Sequence, residues 1–431
     1  MEAQLASTPR GARPYEHAAI AYRLGMAYAE SPAGSREAQL RKALAAFDVA
    51  AAIFDPRFDP VEHARVLNGA GAVHRALGDR RKAVSLFAKA AELFEGHEAR
   101  ADELAGALSN VGLVRTELGE AQAAVEAFDR AMPLYDTTSD NGRRGWLATV
   151  LNRGQAHAAQ GTAEGLEAAL ADYEAAEAEL DADEAPYHFG LLQHSVGVAC
   201  SALAGLRADE RIRLLEEAVT AFKESLTIFT RIEFPYQHAL AKHNLGLAHA
   251  GIGDVVNLRR ALAAFEDAVG MLDPRLHADA WKQSFASLTR VEEQLAEHFP
   301  GMARSAHFAA ILAEADEGDQ QALLRERLYR LLDLPEPRRR SALAELDMAI
   351  VRLDDDAAKA VMAGELNLVI EMPIDKQEPC LRARFDAHRQ LPDDERERAD
   401  RILDDAIGWA IEGPQRIHMR DFLYSLGWER P

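Results

Sequence analysis

Fifteen histidines, two cysteines and two short acidic runs are the residues of this 431-residue chain whose types could do chemistry. The chemistry would be metal binding, proton transfer or nucleophilic attack. A helical zinc site needs two histidines four residues apart, and a di-iron helix needs Glu three residues before His, because only such neighbours share a helix face. No histidine here has Asp or Glu three residues before it, and none has another histidine four residues away. Asp354-Asp355-Asp356 and Asp404-Asp405 look like paired carboxylates, but no second acidic cluster shares their context, and an N-cap or a solvated helix face accounts for them. Cys200 and Cys380 belong to no C-x-x-C pair, so they read as small hydrophobes. Nucleophile-elbow, P-loop and dinucleotide motifs are absent; the nearest, Gly69 to Gly71, falls in a helical pattern. An enzyme would need its site in the C-terminal third, around Asp354 to Asp356 or His388 and His418. No catalytic residue, metal or cofactor is expected.

Three histidines instead keep a structural register. His17, His63 and His238 each stand eight residues before a glycine, at Gly25, Gly71 and Gly246. The segments around the first and last of these, PYEHAAIAYRLG from Pro14 and PYQHALAKHNLG from Pro235, share Pro, Tyr, His, Ala and a closing Leu-Gly in the same order. Gly112, Gly154 and Gly197 continue the series, with spacings of 46, 41, 42, 43 and 49 residues along the chain. After each glycine comes Ala-x-x-x-aromatic-x-x-small: Ala43, Phe47, Ala50 in the first copy, then copies around Phe87, Phe128, Tyr173, Phe222 and Phe265.

That spacing predicts six helical hairpins. The glycine removes a side chain where the second helix crosses the first, and the aromatic fills the gap between one hairpin and the next. Gly78, Gly119, Gly161 and Gly253, each seven residues after an anchoring glycine, close the first helix; Pro14, Pro60, Pro186 and Pro235, each eleven before, open it. The pattern resembles the tetratricopeptide repeat, in the long variant of about 42 residues seen in kinesin light chains and bacterial proteins. The resemblance implies an all-α solenoid, a right-handed superhelix, over residues 14–299: six hairpins plus a capping helix from His277 to Phe299. Residues 1–13 read as disordered, and 300–431 as a separate C-terminal helical bundle divided by Pro335, Pro337, Pro373, Pro392 and Pro414. In the bundle, Leu366 to Ile374 reads as a buried helix end, and the aromatic tail through Trp428 as a final helix packed on its neighbours.

In the family resembled, first helices line a concave groove, which implies a set of partner-binding residues. They are Tyr22 and Arg23 on the first repeat; Arg65, Asn68 and Arg75 on the second; Asn110 and Leu113 on the third. Asn152 and Gln155 follow on the fourth, His194 on the fifth, and His243 and Asn244 on the sixth. Recurrent Asn two before the glycine, at 110, 152 and 244, could serve an extended peptide, because an amide both donates and accepts. The lysines of the family's carboxylate clamp are missing here. The net charge of −21 disfavours nucleic acid and membrane surfaces and suits a neutral or basic protein partner. The N-terminus has no apolar leader and no run approaches bilayer length, so a cytoplasmic protein is expected. The functional expectation is a non-enzymatic scaffold or adaptor holding a protein or peptide, with a ligand-responsive regulator as the alternative and a homodimer through the C-terminal helices or tail as a further expectation.

Overall fold

Proline can occupy the first turn of a helix without loss, because that N–H has no partner there; four of the first helices begin at the expected prolines. The computed structural model describes residues 1–32, 34–180, 182–183, 185–411 and 413–428. The chain divides into two units, Met1–Ile228 and Phe229–Pro431.

Unit 1 opens with α1 (Glu2–Ser7) and continues with five hairpins: α2 (Pro14–Glu30) and α3 (Arg36–Ala51); α4 (Pro60–Ala76) and α5 (Arg80–Phe94); α6 (Ala101–Glu117) and α7 (Ala121–Ala131); α8 (Asp140–Ala158) and α9 (Ala163–Glu179); α10 (Pro186–Leu206) and α11 (Arg211–Ile228). Each second helix from α3 to α9 packs on its own first helix and on the first helix that follows. The N-terminal segment corrects the expectation of disorder: Leu5 packs on the first hairpin, and the Thr8 carbonyl accepts a hydrogen bond from His17.

The glycine and aromatic positions meet as the spacing requires. A Cβ placed on Gly25, Gly71, Gly112, Gly154 or Gly197 would lie 2.5 to 2.8 Å from the ring of Phe47, Phe87, Phe128, Tyr173 or Phe222, closer than carbon atoms approach. Each ring therefore fills the crossing within its own hairpin, not chiefly the gap to the next that the spacing suggests. Phe47 does both, since Gly69 of the following first helix also faces it at 2.8 Å. The turn glycines carry the left-handed backbone their place demands, with φ of +84° at Gly78 and +78° at Gly119.

Unit 2 begins with the sixth hairpin, α12 (Pro235–Ile252) and α13 (Val255–Met271), where Gly246 meets Phe265 in the same way. Then come α14 (Ala278–His298), α15 (Arg304–Glu314), α16 (Glu317–Leu332), α17 (Glu336–Val351), α18 (Asp355–Glu371), α19 (Ile374–His388), α20 (Asp393–Ala410) and α21 (Gly413–Ser425). α14 packs on α13. From α15 to α20 the pairing rule changes: α15 packs on α17, α17 on α19, α16 on α18 and α18 on α20. The result is two layers of alternate helices around one apolar core containing Leu324, Val361, Leu366 and Ile407. The stretch from Leu366 is the end of α18, and Leu423 and Trp428 of the tail are buried in this same core.

The division at Ile228 and Phe229 differs from the boundary at 299 and 300 drawn from the end of the repeat signature. Its physical cause is that Ala263 of α13 shares the C-terminal core and that ion pairs tie the sixth hairpin to α15 and α16.

Candidate functional site

In unit 1 the first helices α2, α4, α6, α8 and α10 are neighbours in turn. The residues that the repeat register singled out in unit 1 lie on these helices. Tyr22 packs its ring against Phe47 at a centroid distance of 5.9 Å, and His194 meets Phe222 edge-on at 5.5 Å. Three before the glycine, then, a ring caps the hairpin's own aromatic, and burial holds the His194 imidazole below its ordinary pKa. Leu113 packs beside Phe128. The asparagines on neighbouring helices meet: the Asn110 amide donates to the Asn68 oxygen at 3.1 Å. Ser109 and Thr149 join α6 to α8 at 2.7 Å.

The cations expected to reach a ligand are engaged within the unit. Arg65 forks onto Glu103 through two hydrogen bonds of 2.7 and 2.8 Å, and Arg75 pairs with Glu117 at 2.7 Å. The carboxylate of Glu103 is held below its usual range by this guanidinium. Arg23 stays exposed, its Nε donating to the Ala19 carbonyl at 3.3 Å. Gln155 is exposed and Asn152 half-buried. The face is thus a strip of amides, small residues and ring edges rather than a cationic pocket.

The registered histidines tie the start of a first helix to the chain before it. His63 Nδ1 lies 2.7 Å from the carbonyl of Phe54, and His17 Nδ1 lies at the same distance from that of Thr8. A carbonyl only accepts, so Nδ1 carries the proton and the imidazole clips the start of a first helix to the preceding chain. In unit 2, His238 does the same with Phe229 at 2.7 Å.

Residues 62–137 match the family model described as tetratricopeptide repeat. This chain carries tetratricopeptide repeats. The match runs from α4 to just beyond α7, the two hairpins whose internal spacing is most regular, and the glycine-on-aromatic crossing extends the pattern to all six. No curated protein matches the chain. Among solved structures it is similar to BtubC (BKLC) from P. vanneervenii, at 17% identity over 53% of this chain and 93% of that one, with a TM-score of 0.33. It is also similar to the P58(IPK) TPR domain, at 15% identity over 95% and 97%, with a TM-score of 0.27. Tetratricopeptide repeats generally mediate protein–protein interaction.

On the sixth tetratricopeptide hairpin, His243 Nδ1 lies 3.0 Å from Ser284 of α14 and packs on Phe265 at 5.5 Å; Asn244 is half-buried beside it. The larger electrostatic feature of unit 2 was not read from the sequence. Buried Lys242 pairs with Glu326 of α16 and lies 3.7 Å from Asp267, while His238 Nε2 reaches Glu326 at 2.8 Å. Arg330 binds Asp267 at 2.7 Å and Arg327 binds Glu266 at 2.7 Å. Burial opposes the Lys242 charge, but Glu326 and Asp267 outweigh it and the pKa is raised. The available signal was Arg327, which falls within the apolar arc of Leu324, Leu328 and Leu331 on α16.

A second buried network joins α17, α18 and α19. Arg384 bridges Asp347, at 2.5 Å, and Glu365; His388 lies 3.0 Å from both Asp347 and Asp400; Trp428 Nε1 donates to Asp400 at 3.1 Å. Burial works against the His388 charge, yet Asp347 and Asp400 prevail and raise its pKa to about 9. A group whose folded pKa is raised stabilises fully below its unfolded value and loses that contribution as pH rises through the folded one. The groups facing His388 are Asp347, Asp400 and Arg384, with Glu365 beyond Arg384. The thermal midpoint of the full chain is expected to fall between pH 6.5 and about 9, and the His388→Gln variant to lose most of that slope; equal slopes would disprove it.

His388 is thus a partner in a packed network, without the open cleft a general base needs, and the side chain of His418 lies outside the described residues. Asp354 caps α18 by accepting from the Ala357 N–H at 3.0 Å. Among the described residues no group of three or more His, Cys, Asp or Glu is placed to hold a metal ion. Burial pushes the Cys200 thiol up to about 11 and Cys380 up to about 12, which keeps both protonated near neutral pH. One expectation needs correction: α10 is long and apolar enough to cross a bilayer by length and composition, although 44% of that window is buried as a hairpin helix.

Proposed function

We propose that this chain is a non-enzymatic scaffold or adaptor that holds a protein or peptide on the first-helix face of its tetratricopeptide repeats. The observation that carries this reading is the side-by-side placement of α4, α6, α8 and α10, whose outward side chains are amides, small residues and ring edges while the nearby cations are engaged by Glu103 and Glu117. Such a surface offers alternating donors and acceptors to an extended main chain without the charge that would demand a specific terminal carboxylate. The net charge of −21 favours a neutral or basic partner and opposes nucleic acid.

The test compares partner capture by the full chain with capture by the double variant Asn152→Ala, Gln155→Ala. Both positions lie on the face, outside the glycine-on-aromatic crossings that hold the hairpins. At least a tenfold loss of affinity for the protein captured by the wild type is expected. Unchanged affinity, with an unchanged thermal midpoint, would remove the first-helix face from the interaction.

A further inference from the structure

α10 has no Asp, Glu, Lys or Arg anywhere along its length from Pro186 to Leu206. Its inner side packs through Leu192, Ala199, Cys200 and Leu203. The opposite side leaves Tyr187, Leu191 and Val198 exposed by 38, 39 and 43%. Their spacing of four and seven residues keeps them on one helical stripe, continued four residues on by exposed Ala202. Isolated exposed apolar residues are ordinary, but an aligned, charge-free row is a contact surface.

Acid predominates around this row. Residues 151–228 carry fourteen Asp or Glu against five Lys or Arg; Arg153 is taken up by Asp172 at 2.5 Å and Asp129 at 2.8 Å, Arg207 by Glu167 at 2.5 Å, and Arg213 by Glu217 at 2.6 Å. Glu164, Glu174 and Glu179 of α9, which packs on α10, are exposed, and Glu177 accepts a hydrogen bond from Gln193 of α10 at 2.6 Å. Size separates the occupants. The row is one face of a single helix, well short of the roughly 800 Å² per partner buried in a stable dimer, and two copies would bring like acidic surfaces together. One short segment fits.

We propose that the exposed stripe of α10 binds a basic amphipathic segment of another protein, its apolar side on Leu191 and Val198 and its Lys or Arg residues toward the carboxylates of α9. This deepens the scaffold reading and rests on it for the choice of face, but it concerns different side chains and is tested separately.

The probe is a dye-labelled 18-residue helical peptide of leucine and lysine with one apolar face, titrated with the full chain and followed by fluorescence anisotropy. Binding is expected, with affinity falling severalfold between 50 and 300 mM salt, and falling at least tenfold in the Leu191→Ser, Val198→Ser variant. A leucine and glutamate peptide, and a serine and lysine peptide, are expected to bind at least tenfold more weakly than the probe. Equal binding of either control peptide, an unchanged affinity in the variant, or sedimentation of the chain with phosphatidylcholine vesicles would overturn the proposal. If the double variant melts early, Val198→Ser alone, at the more exposed of the two positions, is expected to weaken the probe at least threefold, and no change there counts against the proposal. Probe binding that survives when Asn152 and Gln155 prove irrelevant to capture would retain this site and reject the central strip; the reverse pattern would reject this site alone.

Discussion

Replacing Arg384 by leucine is expected to destabilise unit 2 by about 3–5 kcal/mol, because it strips a cation from two buried carboxylates. Arg384, Asp347 and Glu365 are 3, 3 and 5% exposed, so water cannot take the place of the guanidinium. Burial alone would lift the Asp347 pKa; Arg384 and His388 reverse this and lower it to about 2. Without Arg384 the carboxylate is left with the His388 contact at 3.0 Å. A loss of this size is a large part of the roughly 5–15 kcal/mol that holds a domain together. Urea titration of the full chain with Trp146, Trp281 and Trp409 replaced by Phe reports it through the fluorescence of Trp428, whose indole donates to Asp400 in the same network. The double variant Arg384→Leu, Asp347→Leu should recover part of the loss, since it removes the charge left behind along with its partner. A single variant costing under about 1 kcal/mol would mean the network is solvated, in conflict with its burial.

Phe128→Ala should cost unit 1 a similar amount, about 3–5 kcal/mol, by emptying the crossing of α6 and α7. The ring is fully buried and lies where a Cβ on Gly112 would stand 2.7 Å away. The reciprocal change, Gly112→Ala, overfills the same space and should cost about 1–3 kcal/mol. Combining the two should cost less than their sum, because the methyl added to α6 by Gly112→Ala enters space vacated by the ring. Chemical denaturation of the three variants checks this; strict additivity would show that glycine and ring do not share one space. In a repeat array the damage passes to neighbours, which lose the surface they stack upon.

Those two variants also mark how far the fold could be read from sequence. The crossing at Gly112 and Phe128 was legible because a helix pair cannot approach closely with a side chain on both sides, so residue type and spacing alone locate it. The same demand repeated six times revealed the hairpins, their turn glycines and their opening prolines. Arg384 was illegible for the opposite reason: its partners lie 37 and 19 residues away on other helices, and no local rule pairs them. A hint existed in its place beside Cys380, Leu381 and Phe385, all buried on α19. The switch from neighbour packing to alternate-helix packing after α14 was hidden as well, since amphipathic helices read alike in either arrangement. At the candidate face the engagements of the side chains were not legible. Arg65 looked available until Glu103 was found across from it, and Asn110 until it met Asn68.

The imidazole clips at Thr8, Phe54 and Phe229 make the joints of this array unequal. At the corresponding place, the third, fourth and fifth first helices carry Leu104, Trp146 and Phe189, which offer grease where the others offer a directed bond. Stretched end to end, such an array should yield first at its greased hinges and last at its clipped ones. A chain pulled in an optical trap would then extend in steps whose order follows the identity of one residue per hinge.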